Sequence, residues 1–353
     1  MKSKIFFIVG VQRSGTTLLQ SLLSKHPGIS MEERAIAFRI ITCFNNLYDL
    51  LPFNVAHNKE AFLKWLIEND EKGRLAALID TQNLADYQTI QELIQQSIYK
   101  KIAEEETIIW GDKSPNAQHY IKDLKLFIPE AKFLHIIRDG RANAYSMSKR
   151  SYQNLRLSAQ HWVDGNIFGL VNQDILGMDN YKILRYEDLL TNPEKELKEV
   201  CDFLEIPFNK KMLDLSNNTL QEEKQYVKSY FDTSKINAWQ EQLSKKSIEQ
   251  VETIQGPLLK KSGYELVTNP AFFKILSLRK KIYINQIDNI KHLFRRKKMG
   301  MKGQEIVELE LSFKNRLYTY LTVLARDFLP LPIVKALFSR YFYKDKYFKG
   351  KEK

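Results

Sequence analysis

The sequence predicts an α/β protein built on an open, mostly parallel β-sheet with helices on both faces. Three short apolar runs support this prediction, because each leads through a loop into a stretch with helical spacing. The runs are Ile5 to Val9, Lys132 to Ile137 and Tyr181 to Arg185. Ligands of such sheets bind beyond the carboxyl ends of the strands, so the loops after these runs are the places to look for chemistry.

Each run begins a unit of strand, loop and helix. The leucines after the first run predict a helix over Thr16 to Lys25. The second run leads through an Arg-Asp-Gly loop into an alanine-containing helix, and the third leads past Asn192-Pro193 into a helix over Glu194 to Leu204. Thr107 to Trp110 is a fourth candidate strand, which gives a sheet of at least four strands.

Two segments between these units are expected to shape ligand sites. Residues 34 to 106 have helical character and no convincing strand, so we predict a helical insertion that helps to form an acceptor site. Residues 205 to 246 are polar and irregular, and a helix over 247 to 262 follows them. Possible ligand contacts in the irregular segment are Lys228, Tyr230, Lys235 and Trp239.

The net charge of +12 is concentrated in one part of the 353 residues. Residues 274–353 contain 20 of the 54 lysines and arginines but only 7 of the 42 acidic residues. We therefore predict a domain over 1–270 and a basic, aromatic-rich helical extension over 271–353. The extension is expected either to contact an anionic membrane, through the Arg295–Lys298 run and the aromatic residues of 338–348, or to be a solvated helical face. No nucleic-acid partner is expected, and the sequence does not indicate an oligomeric state.

The cysteines and apolar runs predict a cytoplasmic protein. Cys43 and Cys201 are the only cysteines and have no paired spacing, so neither a disulfide framework nor a zinc site is indicated. The start of the chain imitates a signal peptide, but its apolar run is short and is better explained as the first strand. The apolar stretch Leu317 to Phe338 is interrupted by charges and prolines, so no transmembrane helix is predicted.

The first loop resembles a phosphate-binding loop that lacks its lysine. Gly10 and Gly15 have Walker A spacing, but Thr16 stands where nucleotide triphosphatases need lysine. Backbone N–H groups at the start of the following helix would attract an anion, and Arg13 adds a permanent charge. Residues of this candidate anion site are Arg13, Ser14, Gly15, Thr16 and Thr17. The alternative is an ordinary turn with a helix cap.

A second candidate anion site follows the second strand. Arg138 ends that strand, and Ser146 lies eight residues on, with Lys149 and Arg150 on the next helical turn. Arg138 and Ser146 could grip a phosphate together; alternatively, Arg138 forms an ion pair with Asp139 and Ser146 binds nothing. Two anion sites on neighbouring loops imply a ligand with phosphates at both ends of a nucleoside.

Together these motifs resemble the P-loop sulfotransferase superfamily, whose donor is 3′-phosphoadenosine 5′-phosphosulfate (PAPS), and most closely its tyrosylprotein sulfotransferase type. The resemblance covers residues 4 to 265. The matching residues are Gly10-Val11-Gln12-Arg13-Ser14-Gly15-Thr16-Thr17-Leu18-Leu19, His26-Pro27 with Glu32-Glu33, Asp112-Lys113-Ser114-Pro115, Arg138-Asp139-Gly140-Arg141 with Ser146, and Tyr186-Glu187-Asp188-Leu189. It implies that the first loop holds the 5′-phosphosulfate and that Arg138 and Ser146 hold the 3′-phosphate. It also implies that Arg150 is a basic donor contact and that Tyr186 lies near the adenine.

The same resemblance implies transfer without a metal ion, which accounts for the missing lysine. Arg13 and Lys113 would stabilise the negative charge instead, with Lys113 near the bridging oxygen of the donor. Glu33 is the implied general base, and Glu32 is a close second because the spacing from His26-Pro27 is one residue shorter than in the tyrosylprotein type. Alternatively, the glutamates only favour a helix dipole.

Other bases and other functions stay open at this point. His119 and His161 are further candidate bases, whereas His135 is expected in the core and His26 in a turn. The acceptor would be a hydroxyl or amine group of a peptide tyrosine, a glycan, a lipid or a small molecule. A metal-dependent P-loop nucleotide or sugar kinase is one alternative function, with Asp112 as its magnesium ligand. A non-catalytic nucleotide-binding, membrane-associated protein is another.

Overall fold

Strands and helices alternate along the chain in this computed structural model. It describes residues 4–32, 35–37, 40, 56–69, 75–150, 154–215 and 231–277, with 280, 281 and 284. The strands are β1 (Ile5–Val9), β2 (Ile29–Met31), β3 (Ile109–Lys113), β4 (Lys132–Ile137) and β5 (Tyr181–Arg185). All neighbouring strands are parallel, in the order β2-β3-β1-β4-β5. The prediction of an open parallel sheet is confirmed.

Of the ten described α-helices, six lie between strands along the chain and four follow β5. Among them, the helix over residues 16–25 ends two residues earlier than predicted, and that over 247–262 begins two residues earlier. The α-helices are α1 (Thr16–Leu23), α2 (Ala56–Asn69), α3 (Ile90–Glu104), α4 (Ile121–Phe127), α5 (Gly140–Arg150), α6 (Leu155–Leu176), α7 (Tyr186–Thr191), α8 (Pro193–Leu204), α9 (Ala238–Gln242) and α10 (Lys245–Lys261). Short 3-10 helices are Leu84–Asp86, Ala117–Tyr120, Lys210–Leu213 and Thr233–Lys235.

Alternate residues of β1 pack against different helices, which fixes the layers. Ile5, Phe7 and Val9 share a buried cluster with α3, α4 and the described part of α2. Phe6 and Ile8 share another with α1 and α8. Because strand side chains alternate between faces, the insertion helices cover one face of the sheet and α1 and α8 cover the other. This burial of both faces explains why the apolar run alone gave the bounds of β1.

The two strands on the β2 side of the sheet differ from the sequence expectation. β3 begins two residues later than predicted and runs through Asp112 to Lys113, residues assigned to a loop. The three residues of β2 were not predicted as a strand. Both strands depend on contacts between distant segments, since β2 pairs only with β3 and Asp112 bonds to residues 36 and 37.

The start of the predicted basic extension contacts the domain. Leu276 N–H donates to Oε1 of Gln160 on α6, and Lys281 Nζ lies 2.7 Å from Oδ2 of Asp164. The helical character of the rest of the extension, the 295–298 basic run and the 317–338 apolar stretch lie outside the described residues, so they and the boundary near 270 stay predictions. Within the described part of the chain, no helix is long and apolar enough to cross a membrane.

Candidate active site

Close packing shapes the loop between β1 and α1. Gly10 has a φ of 143°, and a Cβ there would lie 2.5 Å from the carbonyl oxygen of Ile136 in β4. A turn follows, closed by a 3.1 Å hydrogen bond from Ser14 N–H to the carbonyl oxygen of Val11. Arg13 lies in this turn with a left-handed φ of 70°. The loop therefore presses against β4 and brings the start of α1 to the carboxyl edge of the sheet.

Gly15 caps α1 and contacts the start of α7. Its φ is 101°, and a Cβ there would lie 2.3 Å from Cδ2 of Tyr186. Only glycine therefore allows the Tyr186 ring to lie against the loop. Gly15 brings no capping side chain, so the N–H groups of the first turn at Thr16 and Thr17 are available to an anion.

A cavity of about 790 Å³ opens beside this loop, a volume typical of small-molecule sites. Four of its lining side chains are cationic, three are aromatic and none is acidic. This composition suits the phosphates and the base of a nucleotide. The lining residues are Arg13, Arg138, Ala142, Tyr145, Ser146, Lys149, Tyr186, Lys235, Ala238, Trp239 and Gln242.

The two predicted anion sites meet at this cavity. Arg13 Nε donates to Ser146 Oγ over 3.2 Å, which links the first loop to α5. Arg138 Nη1 donates to the carbonyl oxygen of Arg13 over 3.2 Å, and its Nη2 donates to that of Lys235 over 3.3 Å. The Arg138 guanidinium lies 4.6 Å from the centroid of the Tyr186 ring. The guanidinium groups and the Ser146 hydroxyl thus lie on one wall, within reach of one ligand.

Asp139 and Arg141 support this wall of the cavity from the protein interior. Arg141 lies 2.7 Å from Oδ2 of Asp139 and 2.6 Å from Oε1 of Glu252 on α10, and all three side chains are buried. The Arg141 guanidinium also lies 4.2 Å from the centroid of the Trp239 ring, which lines the cavity. Asp139 therefore pairs with Arg141, and the alternative in which it pairs with Arg138 is wrong.

Lys113 lies at the same edge of the sheet as the first loop. It is the last residue of β3 and stands opposite Ile8 of the neighbouring β1. The loop after it is tied to the glycine loop, because Asn116 N–H donates to the carbonyl oxygen of Gly10 over 2.8 Å. The structure thus brings Lys113 close to the first predicted anion site, although it does not line the cavity described above.

The buried Asp112 ties the residues after the glutamate pair to β3. Its Oδ1 accepts from Ile36 N–H over 2.8 Å, and its Oδ2 accepts from Ala37 N–H over 3.3 Å and from Ser114 Oγ over 2.6 Å. Burial raises the pKa of Asp112 to about 6. Because both oxygens bond to protein donors, the magnesium role that a kinase would require of Asp112 is not supported. Among the described residues, no cluster of three His, Cys, Asp or Glu side chains could hold a metal ion.

Of the two candidate glutamates, only Glu32 falls within the described residues. It follows β2, and its N–H donates to the carbonyl oxygen of Gly111 over 2.8 Å. Its carboxylate lies 2.9 Å from Nζ of Lys101 on α3. Glu32 is thus bound by an ion pair to the helical insertion. Glu33 lies outside the described residues, so its role stays a prediction.

Four histidines, at positions 26, 119, 135 and 161, are bonded to or packed against other parts of the protein. His135 is buried between the Tyr181 hydroxyl and the Asn166 amide, and burial lowers its pKa to about 4. His26 bonds to the carbonyl oxygen of Pro207 and accepts from Gly28 N–H, as expected for a turn residue. Burial also lowers the pKa values of His119 and His161, and the His119 ring packs edge-on against Phe168. Neither of these last two lines the cavity.

Sequence reasoning missed part of the cavity wall. Lys235 and Trp239 were expected as ligand contacts and do line the cavity, whereas Tyr145 and Gln242 were not considered and bond to each other over 3.0 Å. Tyr145 could have been predicted as a cavity residue, because it directly precedes Ser146 on α5. Lys228, Tyr230 and the side chain of Arg150 lie outside what the structure describes.

Comparisons with known proteins agree with this geometry. The model of the sulfotransferase family matches residues 6–210, more than half of the chain. The chain is 26% identical over 294 residues to protein-tyrosine sulfotransferase A of Caenorhabditis elegans, covering 76% of this chain and 69% of that protein. It is 25% identical over 301 residues to human protein-tyrosine sulfotransferase 1, covering 79% and 76%.

A solved structure shows the same fold. The sulfotransferase domain from the curacin biosynthetic pathway superposes with a TM-score of 0.51 at 20% identity, over 74% of this chain and 98% of that one. The resemblance found in the motifs is therefore confirmed. The family match, the parallel sheet and the loop that follows β1 lead to one conclusion: the chain belongs to the sulfotransferase family.

Proposed function

We propose that the protein transfers the sulfuryl group of PAPS to a hydroxyl or amine acceptor without a metal ion. The observation that carries the proposal is the contact between Arg13 and Ser146, which brings the two predicted anion sites together on one wall of the cavity. A donor that carries a 5′-phosphosulfate and a 3′-phosphate on one ribose needs two such neighbouring sites, with room beside them for the base. The cations and aromatic rings of the cavity fit that donor.

In this proposal, each loop binds one end of the donor. The N–H groups of Gly15 to Thr17 and the Arg13 guanidinium would bind the 5′-phosphosulfate, with Ser14 shaping the turn. Arg138 and Ser146 would bind the 3′-phosphate, and Arg150 would add a further positive charge. Tyr186, held against Gly15, would face the adenine.

Lys113 and a glutamate would supply the remaining chemistry. The donor provides a sulfuryl group whose bond to the bridging oxygen breaks as the acceptor oxygen or nitrogen bonds to sulfur. Lys113 would stabilise the negative charge that develops on the leaving phosphate. Glu33 would take the acceptor proton. We prefer Glu33 to Glu32 because the Glu32 carboxylate is already bound by Lys101.

Peptide tyrosine is the first acceptor to test, since two relatives named above are protein-tyrosine sulfotransferases. Glycans, lipids and small hydroxylated molecules follow, because the insertion helices α2 and α3 carry no motif that selects among them. We also propose a cytoplasmic location, because the two cysteines of the sequence have no paired spacing; Cys201 is buried against Met212, and Cys43 lies outside the described residues.

Two neighbouring variants test the proposed base. We expect Glu33→Gln to keep the affinity for adenosine 3′,5′-bisphosphate and to lower transfer by about 100-fold or more, the usual contribution of a general base. Glu32→Gln is the matched control and should retain most transfer. The measurement is transfer of radioactive sulfate from PAPS to a panel of tyrosine peptides, oligosaccharides, lipids and phenols, beside calorimetric binding.

Three results would contradict the proposal. Transfer to no member of the panel by the wild-type protein would argue against the function. Equal transfer by Glu33→Gln and wild type would remove Glu33 as the base. Loss of bisphosphate binding in Glu33→Gln would make that residue a support of the donor site instead.

A further inference from the structure

A group of exposed apolar side chains follows α10. Phe272 and Ile275 are each 63% exposed, and Phe273 is also exposed. Their neighbour Leu276 is buried in the cluster formed with α5, α6 and α10. Exposed single apolar residues are common, but three within four positions form a patch, which we call the 272–275 patch.

The backbone under the 272–275 patch is fixed to the domain on both sides. Lys274 N–H donates to the carbonyl oxygen of Thr253 on α10 over 2.8 Å, and Leu276 N–H donates to Oε1 of Gln160 over 2.6 Å. Phe273 packs so closely on α10 that a Cβ at Gly256 would lie 2.2 Å from its ring. The outward direction of Phe272 and Ile275 is therefore a property of the folded domain.

Exposed lysines lie beside the 272–275 patch or near it in the sequence. Lys260 Nζ lies 5.9 Å from the centroid of the Phe273 ring, and Lys261, Lys274 and Lys280 are exposed. Between residues 260 and 281 the sequence contains six lysines and arginines and one acidic residue, Glu265. Aromatic and aliphatic side chains among lysines suit the interface of an anionic bilayer, where rings enter the headgroup region and ammonium groups meet phosphates.

We propose that the 272–275 patch docks the protein on an anionic lipid bilayer. Phe272 and Ile275 insert at the headgroup level, and Lys260 and Lys274 bind lipid phosphates. Charge complementarity favours a membrane over a second copy of the chain, because two copies would bring their own lysines together. The basic composition that continues through residues 285–353 adds charge of the same sign.

The test is sedimentation of the full chain with vesicles of phosphatidylcholine alone and of phosphatidylcholine mixed with phosphatidylglycerol. We expect binding only to the mixed vesicles, weakened by added salt. Phe272→Ser with Ile275→Ser should lower the partition coefficient at least about tenfold, since each buried apolar side chain contributes on that scale. Phe273 is left unchanged because it packs on α10.

Ile175→Ser with Met178→Ser is the matched control, since these side chains near the end of α6 are 74% and 77% exposed. Normal binding by this control, with unchanged melting temperatures of both double variants, supports the patch. The proposal fails if the wild-type chain does not bind anionic vesicles, or if the two double variants bind them equally. It fails as well if Phe272→Ser/Ile275→Ser binds as strongly as wild type, because the basic extension alone would then account for membrane binding. It also fails if light scattering shows a wild-type dimer that this double variant dissociates, which would make the patch a protein interface.

Discussion

Replacing Arg141 by methionine is expected to destabilise the fold. The guanidinium pairs with Asp139 and Glu252 in the interior, so its removal leaves two buried carboxylates without their counter-charge. Breaking a buried ion pair by removing one partner costs about 3–5 kcal/mol. For domains of this general size, 1 kcal/mol lowers the melting temperature by about 2–4 °C, so we expect a fall of about 6–20 °C.

Arg138→Met is the matched variant, three residues away in the same motif. Its guanidinium makes two long hydrogen bonds to backbone carbonyls and contacts the Tyr186 ring, which a methionine side chain can also do, so we expect the melting temperature to change by no more than about 3 °C. Loss of a charge-assisted bond to the 3′-phosphate should weaken binding of adenosine 3′,5′-bisphosphate by about 10- to 150-fold.

Differential scanning fluorimetry and isothermal titration calorimetry of both variants separate the two roles. The reasoning would be refuted if Arg141→Met melted like wild type. It would also be refuted if Arg138→Met bound the bisphosphate like wild type or unfolded as early as Arg141→Met.

Two further predictions concern the first loop and the core. Gly15→Ala should disrupt bisphosphate binding, because its Cβ would lie 2.3 Å from the Tyr186 ring. Gly177→Ala is the control: its φ of 76° and ψ of 163° strain an alanine by about 1–3 kcal/mol, but a Cβ there meets nothing within 4 Å, so binding should be kept; equal calorimetric affinities of the two variants would contradict this. The pKa of His135 is lowered from 6.5 to about 4, so the unfolded chain binds more protons and stability should be lost as pH falls through that interval, by about 3 kcal/mol. Urea titrations should show a clearly smaller loss in His135→Gln than in wild type, because only the contributions of the other histidines with a lowered pKa, His119 and His161, remain; an equal loss in both proteins would mean that His135 does not contribute.

The sequence predicted those strands that are buried on both faces, because a continuous apolar run is visible without knowledge of the fold. β1 and β4 are such strands, and the predicted bounds of both, and of the half-buried edge strand β5, match the structure. β3 contains Asp112, whose burial depends on N–H donors more than 70 residues away. Polar residues of this kind predict a loop, so sequence reasoning ended the strand too early.

The candidate site was predictable where the residues of a single loop are enough to indicate anion binding. Arg13 and Ser146 each follow a strand of the sheet, and parallel strands bring such loops to one edge. The separation of roles within the Arg138–Arg141 motif was not predictable, because Glu252 and Trp239 reach Arg141 from elements about 100 residues away. The place of Gln242 in the cavity wall likewise depends on tertiary packing.

Calorimetry with adenosine 3′,5′-bisphosphate and adenosine 5′-monophosphate tests whether one ligand bridges the two anion sites. We predict that wild type binds the bisphosphate at least about tenfold more tightly, because only that ligand reaches both sites. Arg138→Ala with Ser146→Ala should remove this preference and leave binding of the monophosphate unchanged. Equal wild-type affinity for the two ligands, or tighter binding of ATP with Mg²⁺ than of the bisphosphate, would contradict the assignment of the cavity to PAPS.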